Sequence, residues 1–510
     1  MAASSAAAPK LVLCVIDALA PAALEQAVAE GEAPILATLI DRGVYVPDCV
    51  AAFPSVTPVC AASIVTGAAQ DRHRIPGMNW YHRDEQRYIE YGSSFRAVQR
   101  FGIARQLTDT VYNMNRAHLA ADPLTIFERL DDADVRTAGT TYLMYRGRYQ
   151  HKPQRDTTLT RIAAMLMRHP ALGPRELFYA DIFASRPTGC RSGLGMPGVR
   201  DKHSGCVSAY MVEHDLFDFL LLSLPDNDWY SHKHGPDAQV RSIALADAQL
   251  ARVMDAGGGV DRFLEEHAVI VMADHSQAPV THPVALQDAL TDFDVLKPGA
   301  VPDPEKTQLA VCPSQRAAMV YVLGNDNENQ RNLRDRERAR VCSHALQLEG
   351  VDLAMWLERD DHDAPRAAVI ASAEHGELRF LPGDDVIDAR GLRWNIQGEL
   401  DVLGAVVQAE DGCLQTPDYP DAFARVWSAL TCATSGELLL SAAPGYEFLD
   451  WGGQAHVGGG SHGSLHSSDS LGALVMCGLD LDVTGGPGAT QWAIRDVAPL
   501  IARHFGLPAA

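Results

Sequence analysis

Aspartate and histidine recur in this sequence where short apolar runs end. Asp17 directly follows LVLCVI (11–16). Asp226, Asp228, His232 and His234 closely follow FLLLSLP (219–225), and Asp274 and His275 directly follow HAVIVMA (267–273). His456, His462 and His466 lie in a Gly/Ser-rich loop after GELLLSAAPGYEFLDW (436–451). Taken singly, each Asp can be a helix cap and each His a solvated side chain. Jointly that account weakens. Three carboxylates and three imidazoles at one sheet edge repel or stay unpaired unless cations lie between them. Two divalent metal ions resolve this, and mixed Asp/His ligation suits zinc best, with manganese as the substitute. A nucleophile candidate stands apart in AFPSVTPVCAASIVTG (52–67), where Thr57 precedes Pro58. Proline is favoured at the first helical position, so Thr57 is predicted to be an N-cap with its hydroxyl at the positive end of a helix. It reads either as a plain cap or as an attacking alkoxide in a place that welcomes anions. Ser55 falls in the preceding loop.

The elements that must position these residues alternate. Residues 11–16 and 267–272 are continuous apolar runs, as in strands buried on both faces. Residues 22–42 have helical periodicity ending at Gly43, and 237–256 form a long amphipathic helix. Residues 215–225 read as a helix end plus a buried strand, 436–443 and 471–478 as further strands, and 494–505 as a closing helix. Strands alternating with helices predict an α/β fold with a mostly parallel sheet flanked by helices. Active sites of such sheets collect at the carboxyl ends of the strands, where the Asp and His residues stand. Two stretches break the rhythm and are expected to be inserted caps. The predicted division is 1–79 (core with the nucleophile), 80–205 (insertion), 206–299 (core with metal motifs), 300–410 (second, α+β insertion) and 411–510 (core with the last metal His).

Composition bounds the function. The chain has 510 residues, 47% hydrophobic and 21% charged, so a sizeable core is expected and wholesale disorder is excluded. Its net charge of −22 argues against a grip on a nucleic-acid polymer and against anionic membrane surfaces. The N-terminal segment lacks a basic region before an unbroken apolar core, and no run is long enough to span a bilayer, so a cytoplasmic protein is expected. The ten cysteines include no CxxC pair, and most are predicted to be reduced core residues. Oligomeric state is not legible.

Four blocks together resemble the type I phosphodiesterase/nucleotide pyrophosphatase branch of the alkaline phosphatase superfamily. They are VIDALAP (15–21), FPSVTPVCAASIVTG (53–67), DWYSHKHGP (228–236), and MADHS (272–276) with GSHGS (460–464). The resemblance spans about residues 10–300 and 415–505. It implies an alkaline-phosphatase-like core and a two-metal hydrolase of phosphoric esters. One ion would be held by Asp17, Thr57, Asp274 and His275, and the other by Asp228, His232 and His462. Asp228 is preferred over Asp226, and His462 over His466, by their places in the family motifs. Asn79 matches the family's donor to a phosphoryl oxygen. This chain reads G-M-N where members often read G-N, and Arg74 replaces a usual Gly. The sulfatase pattern C-x-P-x-R is missing around Cys60, and Thr57 disfavours the serine-dependent phosphoglycerate mutases.

The resemblance implies in-line attack by Thr57 and a phospho-threonine intermediate. It favours a small substrate with a phosphodiester or pyrophosphate bond. A phosphomonoester or a phosphonate P–C bond is the alternative, and an inactive metal-binding protein the remote one. In the first insertion, Trp80, Tyr81 and Phe95 are candidates for an apolar wall. The run YRGRYQHKPQR (145–155) gathers Arg146, Arg148, His151, Lys152 and Arg155. It reads either as a surface loop balanced by acidic neighbours or as a clamp in which Arg146, Arg148 and Lys152 bind a second phosphate or a dianion.

Overall fold

The computed structural model describes residues 8–154, 169–180, 182–190, 200–324, 328–360, 362, 364–408, 412–481 and 491–508. Eight strands make the principal sheet, in the order Val44–Val50, Leu471–Cys477, His267–Met272, Lys10–Ile16, Phe219–Leu224, Thr137–Thr140, Glu176–Tyr179, Phe183–Ala184. The five from His267–Met272 to Glu176–Tyr179 run parallel, Leu471–Cys477 and Phe183–Ala184 flank them antiparallel, and Val44–Val50 pairs antiparallel with Leu471–Cys477.

The central strand explains the layering. Successive side chains of a strand point to opposite faces. Leu11, Leu13 and Val15 enter one core, with side chains of the helices Thr57–Thr66 and Val497–His504. Val12, Cys14 and Ile16 enter the other, with Leu24, Leu36, Val207, Ile243 and Leu250 from four helices on that side. Each fully buried aliphatic side chain contributes roughly 2 kcal/mol, which is why these runs are apolar at every position. Register then sets the site. Ile16 lies opposite Leu224, and Val15 opposite Met272. Three chains therefore leave the sheet at one level, just before Asp17, Asp226 and Asp274.

A second, largely antiparallel sheet of nine strands runs through Leu309–Ser314, Ala317–Val322, Leu438–Ala442, Val351–Arg359, Pro365–Ser372, Gly376–Asp388, Cys413–Gln415 and Val406–Val407, with Arg393–Gly398 on Gly376–Asp388. The helix Glu328–Ala345 belongs to this part of the chain.

Four features differ from the sequence reading. The Leu438–Ala442 strand joins the second sheet, because an isolated apolar strand carries no mark of its partner. Leu471–Cys477 joins the principal sheet in the antiparallel sense. Residues 22–42 make two helices, Pro21–Ala29 and Pro34–Arg42, broken near Gly31, whose φ is +78°. Thr137–Thr140 and Glu176–Tyr179, from the stretch expected to be a cap, extend the parallel sheet; four residues each are too few to show a pattern. Cys190 and Cys206 form a disulfide across 16 residues, a spacing with no local signature. The other eight cysteines form no disulfide, and of them only Cys413 is not buried. Among the described residues, no helix is long and apolar enough to cross a membrane.

Candidate metal centre

The turn after the central strand is tied to both neighbouring strand ends. Asp17 N donates to Leu224 O (3.1 Å), Asn227 Nδ2 donates to Asp17 O (2.9 Å), and Ala18 N donates to Asp274 Oδ1 (3.2 Å). Asp228 and His232 lie one turn apart on the helix Asp226–His234, so they share a face. Asp226 points elsewhere, to Arg200 at 2.7 Å. His466 is spent locally, its Nδ1 accepting from Ser468 N at 3.1 Å as a helix cap. His234 packs on Tyr230.

Two groups result. Asp17, Asp274 and His275 bring one ligand atom each within 4.8 Å of one another, and so do Asp228, His232 and His462. The groups adjoin: the His275 and His462 rings stack at 3.7 Å. Within the first, His275 Nε2 is 3.6 Å from Asp17 Oδ1 and 3.4 Å from Asp274 Oδ2. Within the second, Asp228 lies 3.3 Å from His232 Nε2 and 3.6 Å from His462 Nε2.

Thr57 is the first residue of its helix, and Val56 holds the cap position without a side-chain cap bond. The expected capping role is thus not used. The Thr57 hydroxyl instead lies 3.2 Å from His275 Nε2. Ser55 clips this segment to the His462 loop: its O accepts from His462 Nδ1 (2.7 Å), and its Oγ accepts from Gly463 N (3.0 Å).

The polar atoms fit a cation. His232, His275 and His462 each donate Nδ1–H to a backbone oxygen, of Gly460 (2.8 Å), Ser276 (3.0 Å) and Ser55 (2.7 Å). That tautomer leaves every Nε2 with a lone pair facing the cluster, as metal-ligating imidazoles require. Asp17 Oδ1 and Asp274 Oδ2 are buried without a hydrogen-bond partner. Orphaned oxygens of this kind cost about 1–3 kcal/mol each, which a bound cation would relieve. Burial, and then the Asp274 and Asp228 carboxylates, hold the Asp17 carboxyl well above its ordinary range. Burial also raises Asp274, against the pull of His275. Burial would raise Asp228 too, but His232 and His462 outweigh it and hold it low. Burial, with His275 second, drives His462 well below an ordinary imidazole.

The profile of the type I phosphodiesterase/nucleotide pyrophosphatase family matches residues 11–376. The chain belongs to that family. As a member of this phosphodiesterase family it is a phosphoric ester hydrolase of the alkaline phosphatase superfamily. Among solved structures it resembles phosphonoacetate hydrolase from Sinorhizobium meliloti 1021 in complex with phosphonoformate, with a TM-score of 0.51, 16% identity, and 98% of this chain and 96% of that chain covered. The complex with phosphonoacetate gives a TM-score of 0.53 and 15% identity over the same shares, 98% and 96%. At such identities the likeness speaks to the fold. Among curated proteins, nothing matches significantly.

In this phosphodiesterase-family chain, other residues singled out in sequence are occupied elsewhere. Asn79 is buried, and its Nδ2 donates to Ile89 O (3.1 Å) and Glu90 Oε2 (2.9 Å). It would have to let go of these to reach a phosphoryl oxygen. Arg146 donates to Glu128 and to the carbonyls of Leu119, Ala120 and Pro123, and Arg148 to Asp132 and Glu128. Lys152 is exposed, and Arg155 lies outside the described residues. Trp80 and Tyr81 are core residues, whereas Phe95 is 69% exposed.

Three residues near the ligands had not been singled out. Gln277 Nε2 donates to Asp228 Oδ1 and to its backbone oxygen; its place just after the DHS block was the only signal. Buried Glu447 accepts from His456 Nδ1 (2.8 Å), and the His456 ring lies 4.0 Å from that of His232. Gln315 reaches His232 from the second sheet. Gly463 permits that approach: its φ is +119°, and a Cβ there would stand 2.9 Å from Ser314 O. The glycine of the HG pair is therefore a packing requirement.

Proposed function

We propose that this chain hydrolyses a phosphodiester or pyrophosphate bond with two divalent cations, zinc before manganese, through phosphorylation of Thr57. The observation that carries the reading is the Thr57 hydroxyl, 3.2 Å from His275 Nε2, at the junction of two ligand groups. When bound, the cations supply positive charge for the phosphoryl oxygens and acidify the attacking hydroxyl. Thr57 Oγ1 forms the new bond to phosphorus in line with the departing oxygen, and the leaving alcohol or phosphate takes up a proton. Water then cleaves phospho-Thr57 and restores the hydroxyl. The Thr57–Thr66 helix presents its amino end to the group being transferred, where first-turn N–H groups favour developing negative charge. Asp17, Asp274 and His275 would hold one cation beside Thr57, while Asp228, His232 and His462 would hold the other.

A diester carries one negative charge at the reacting phosphorus and a monoester two. Arg146 and Arg148, the cations best suited in sequence to a dianion, are neutralised by Glu128 and Asp132. That favours the diester. The likeness to phosphonoacetate hydrolase over 98% of the chain favours phosphonate cleavage as the second reading. Parallel assays with bis-p-nitrophenyl phosphate, p-nitrophenyl phosphate and phosphonoacetate separate the readings, and the first is expected to turn over fastest. Thr57→Ala is expected to lower that turnover by about 10⁴-fold or more while zinc content falls only in part. Near-full activity in this variant would remove Thr57 from the reaction. Preferred release of inorganic phosphate from phosphonoacetate would replace the diester by the phosphonate.

A further inference from the structure

The hairpin turn 314–317 of the nine-stranded sheet ends against the Asp228/His232/His462 group. Gln315 sits in this turn, 7% exposed, with φ +62°. Left-handed backbone is unfavourable for glutamine and suits Gly or Asn better, so a glutamine there points to a demand on its side chain. The turn is fixed to the loop that carries His462. Arg316 N donates to His462 O (2.9 Å), the Arg316 guanidinium pairs with Asp469 (2.9 Å) in full burial, and Gln315 O accepts from Phe448 N (2.9 Å). The Gln315 carboxamide is thereby aimed at the ligand nitrogen: its Nε2 lies 3.5 Å from His232 Nε2, and its Oε1 is buried without a hydrogen-bond partner.

The two ligand groups are unequal. The first has two carboxylates, an imidazole and the Thr57 hydroxyl. The second has one carboxylate and two imidazoles, three donors, which leaves room around a zinc ion for further ones. A cation on the His232 Nε2 lone pair leaves no acceptor for the Gln315 N–H. The amide oxygen and nitrogen exchange places by rotation about one bond, and their assignment rests on their partners. With a cation present, the oxygen is the atom that faces it.

Resting on the two-cation reading above, we propose that Gln315 is a metal-tuning residue of the Asp228/His232/His462 subsite, its carboxamide oxygen serving as a neutral fourth donor brought in by the second sheet. A neutral donor adds hold without adding charge, so this cation keeps more of its positive charge for the substrate than a second carboxylate would allow.

The test is zinc titration of the chelator-stripped full chain against a competing chromophoric chelator, with no substrate present. Wild type is expected to show two sites. Gln315→Asn keeps an amide but loses reach, and suits the left-handed turn; Gln315→Leu removes both polar atoms. Each is expected to weaken one of the two sites by about 10–100-fold, the same site that Asp228→Asn weakens, and to leave the other as the internal sign of a folded protein. Gln315→Glu is expected to restore or tighten it. Two sites of unchanged affinity in both the Asn and Leu variants would overturn this assignment alone. A wild-type protein with a single zinc site would overturn the two-cation reading and the assignment with it.

Discussion

Two charged clusters stand out in the sequence, and the fold treats them in opposite ways. Arg146 and Arg148 of the basic run are answered from within. Arg146 and Arg148 meet Glu128 and Asp132 at 2.7–3.0 Å, and carbonyl oxygens take further donors of Arg146. The Asp/His cluster is left unanswered. Asp17 Oδ1 and Asp274 Oδ2 are buried without hydrogen-bond partners; burial, and then the Asp274 and Asp228 carboxylates, push Asp17 toward the neutral form, and burial does the same to Asp274. A fold without a ligand to bind would not keep such groups, because unpaired buried charge is among its costliest features. Concentration of charge is a poor guide to a site; uncompensated buried charge is a better one.

The contrast breaks most sharply at Asp17 and Asp228. Asp17 opposes a like charge, whereas Asp228 is the lone carboxylate between two imidazoles. Asp228→Asn is expected to lower zinc affinity at its subsite by at least about 100-fold, since the only anionic ligand there is lost. Asp17→Asn leaves one carboxylate at its own subsite and weakens zinc less. The sign of its second effect is opposite: in metal-free protein at pH 7 it removes repulsion and stabilises the fold by about 1 kcal/mol. Chelator competition and urea denaturation of the stripped proteins measure both. A stripped Asp17→Asn protein less stable than wild type would mean that Asp17 is satisfied within the fold, as Arg146 is.

The basic run gives the opposite pattern. Arg146 and Glu128 are 11% and 6% exposed, so Arg146→Ala takes from a buried carboxylate one of its two arginine partners and is expected to cost about 3 kcal/mol of stability. Arg148 is 40% exposed, and its removal is expected to cost no more than about 1 kcal/mol. In both variants KM for the preferred ester should match wild type. A rise in KM of tenfold or more with unchanged stability would return these residues to the substrate.

Much of this was legible because sheet register is carried by apolar runs. LVLCVI, FLLLSL and HAVIVM announce buried strands, and once they lie in register their following residues must meet. The motif blocks then separated Asp228 from Asp226 and His462 from His466, a choice that strand-end position alone left open. What stayed hidden depends on partners distant in sequence. Nothing in GELLLSAA says which sheet it joins. Nothing near Gln315 says that its turn lands on His232, 83 residues away in the chain. Nothing near Arg146 says which acidic residue balances it, because Glu128 lies 18 residues earlier, outside any local pattern. The helix start was displaced by one position, enough to change Thr57 from a cap into the first helical residue, its hydroxyl beside His275 Nε2.

His73 supplies the smallest test, because it is a buried histidine whose needs the fold does meet. It is fully buried in the segment before Asn79. Its Nδ1 accepts from Ile75 N (3.1 Å), and its Nε2 donates to Ser63 Oγ (3.1 Å). Unlike the cluster imidazoles, it has no lone pair left to offer a metal. Burial pushes it down to about 3, so it stays neutral in the fold while the unfolded chain takes up a proton near pH 6.5. The resulting stability is fully present above pH 6.5 and is lost as pH falls toward 3, at about 1.4 kcal/mol per pH unit between those limits. His73→Gln removes this proton from the balance. Its stability should therefore fall less steeply than that of wild type between pH 6 and pH 4, by about one proton's worth of slope. Urea midpoints measured at three pH values in stripped protein read the difference. Parallel slopes would show that His73 takes up a proton in the folded state as readily as in the unfolded chain. Its internal hydrogen bonds would then no longer distinguish it from the histidines of the metal cluster.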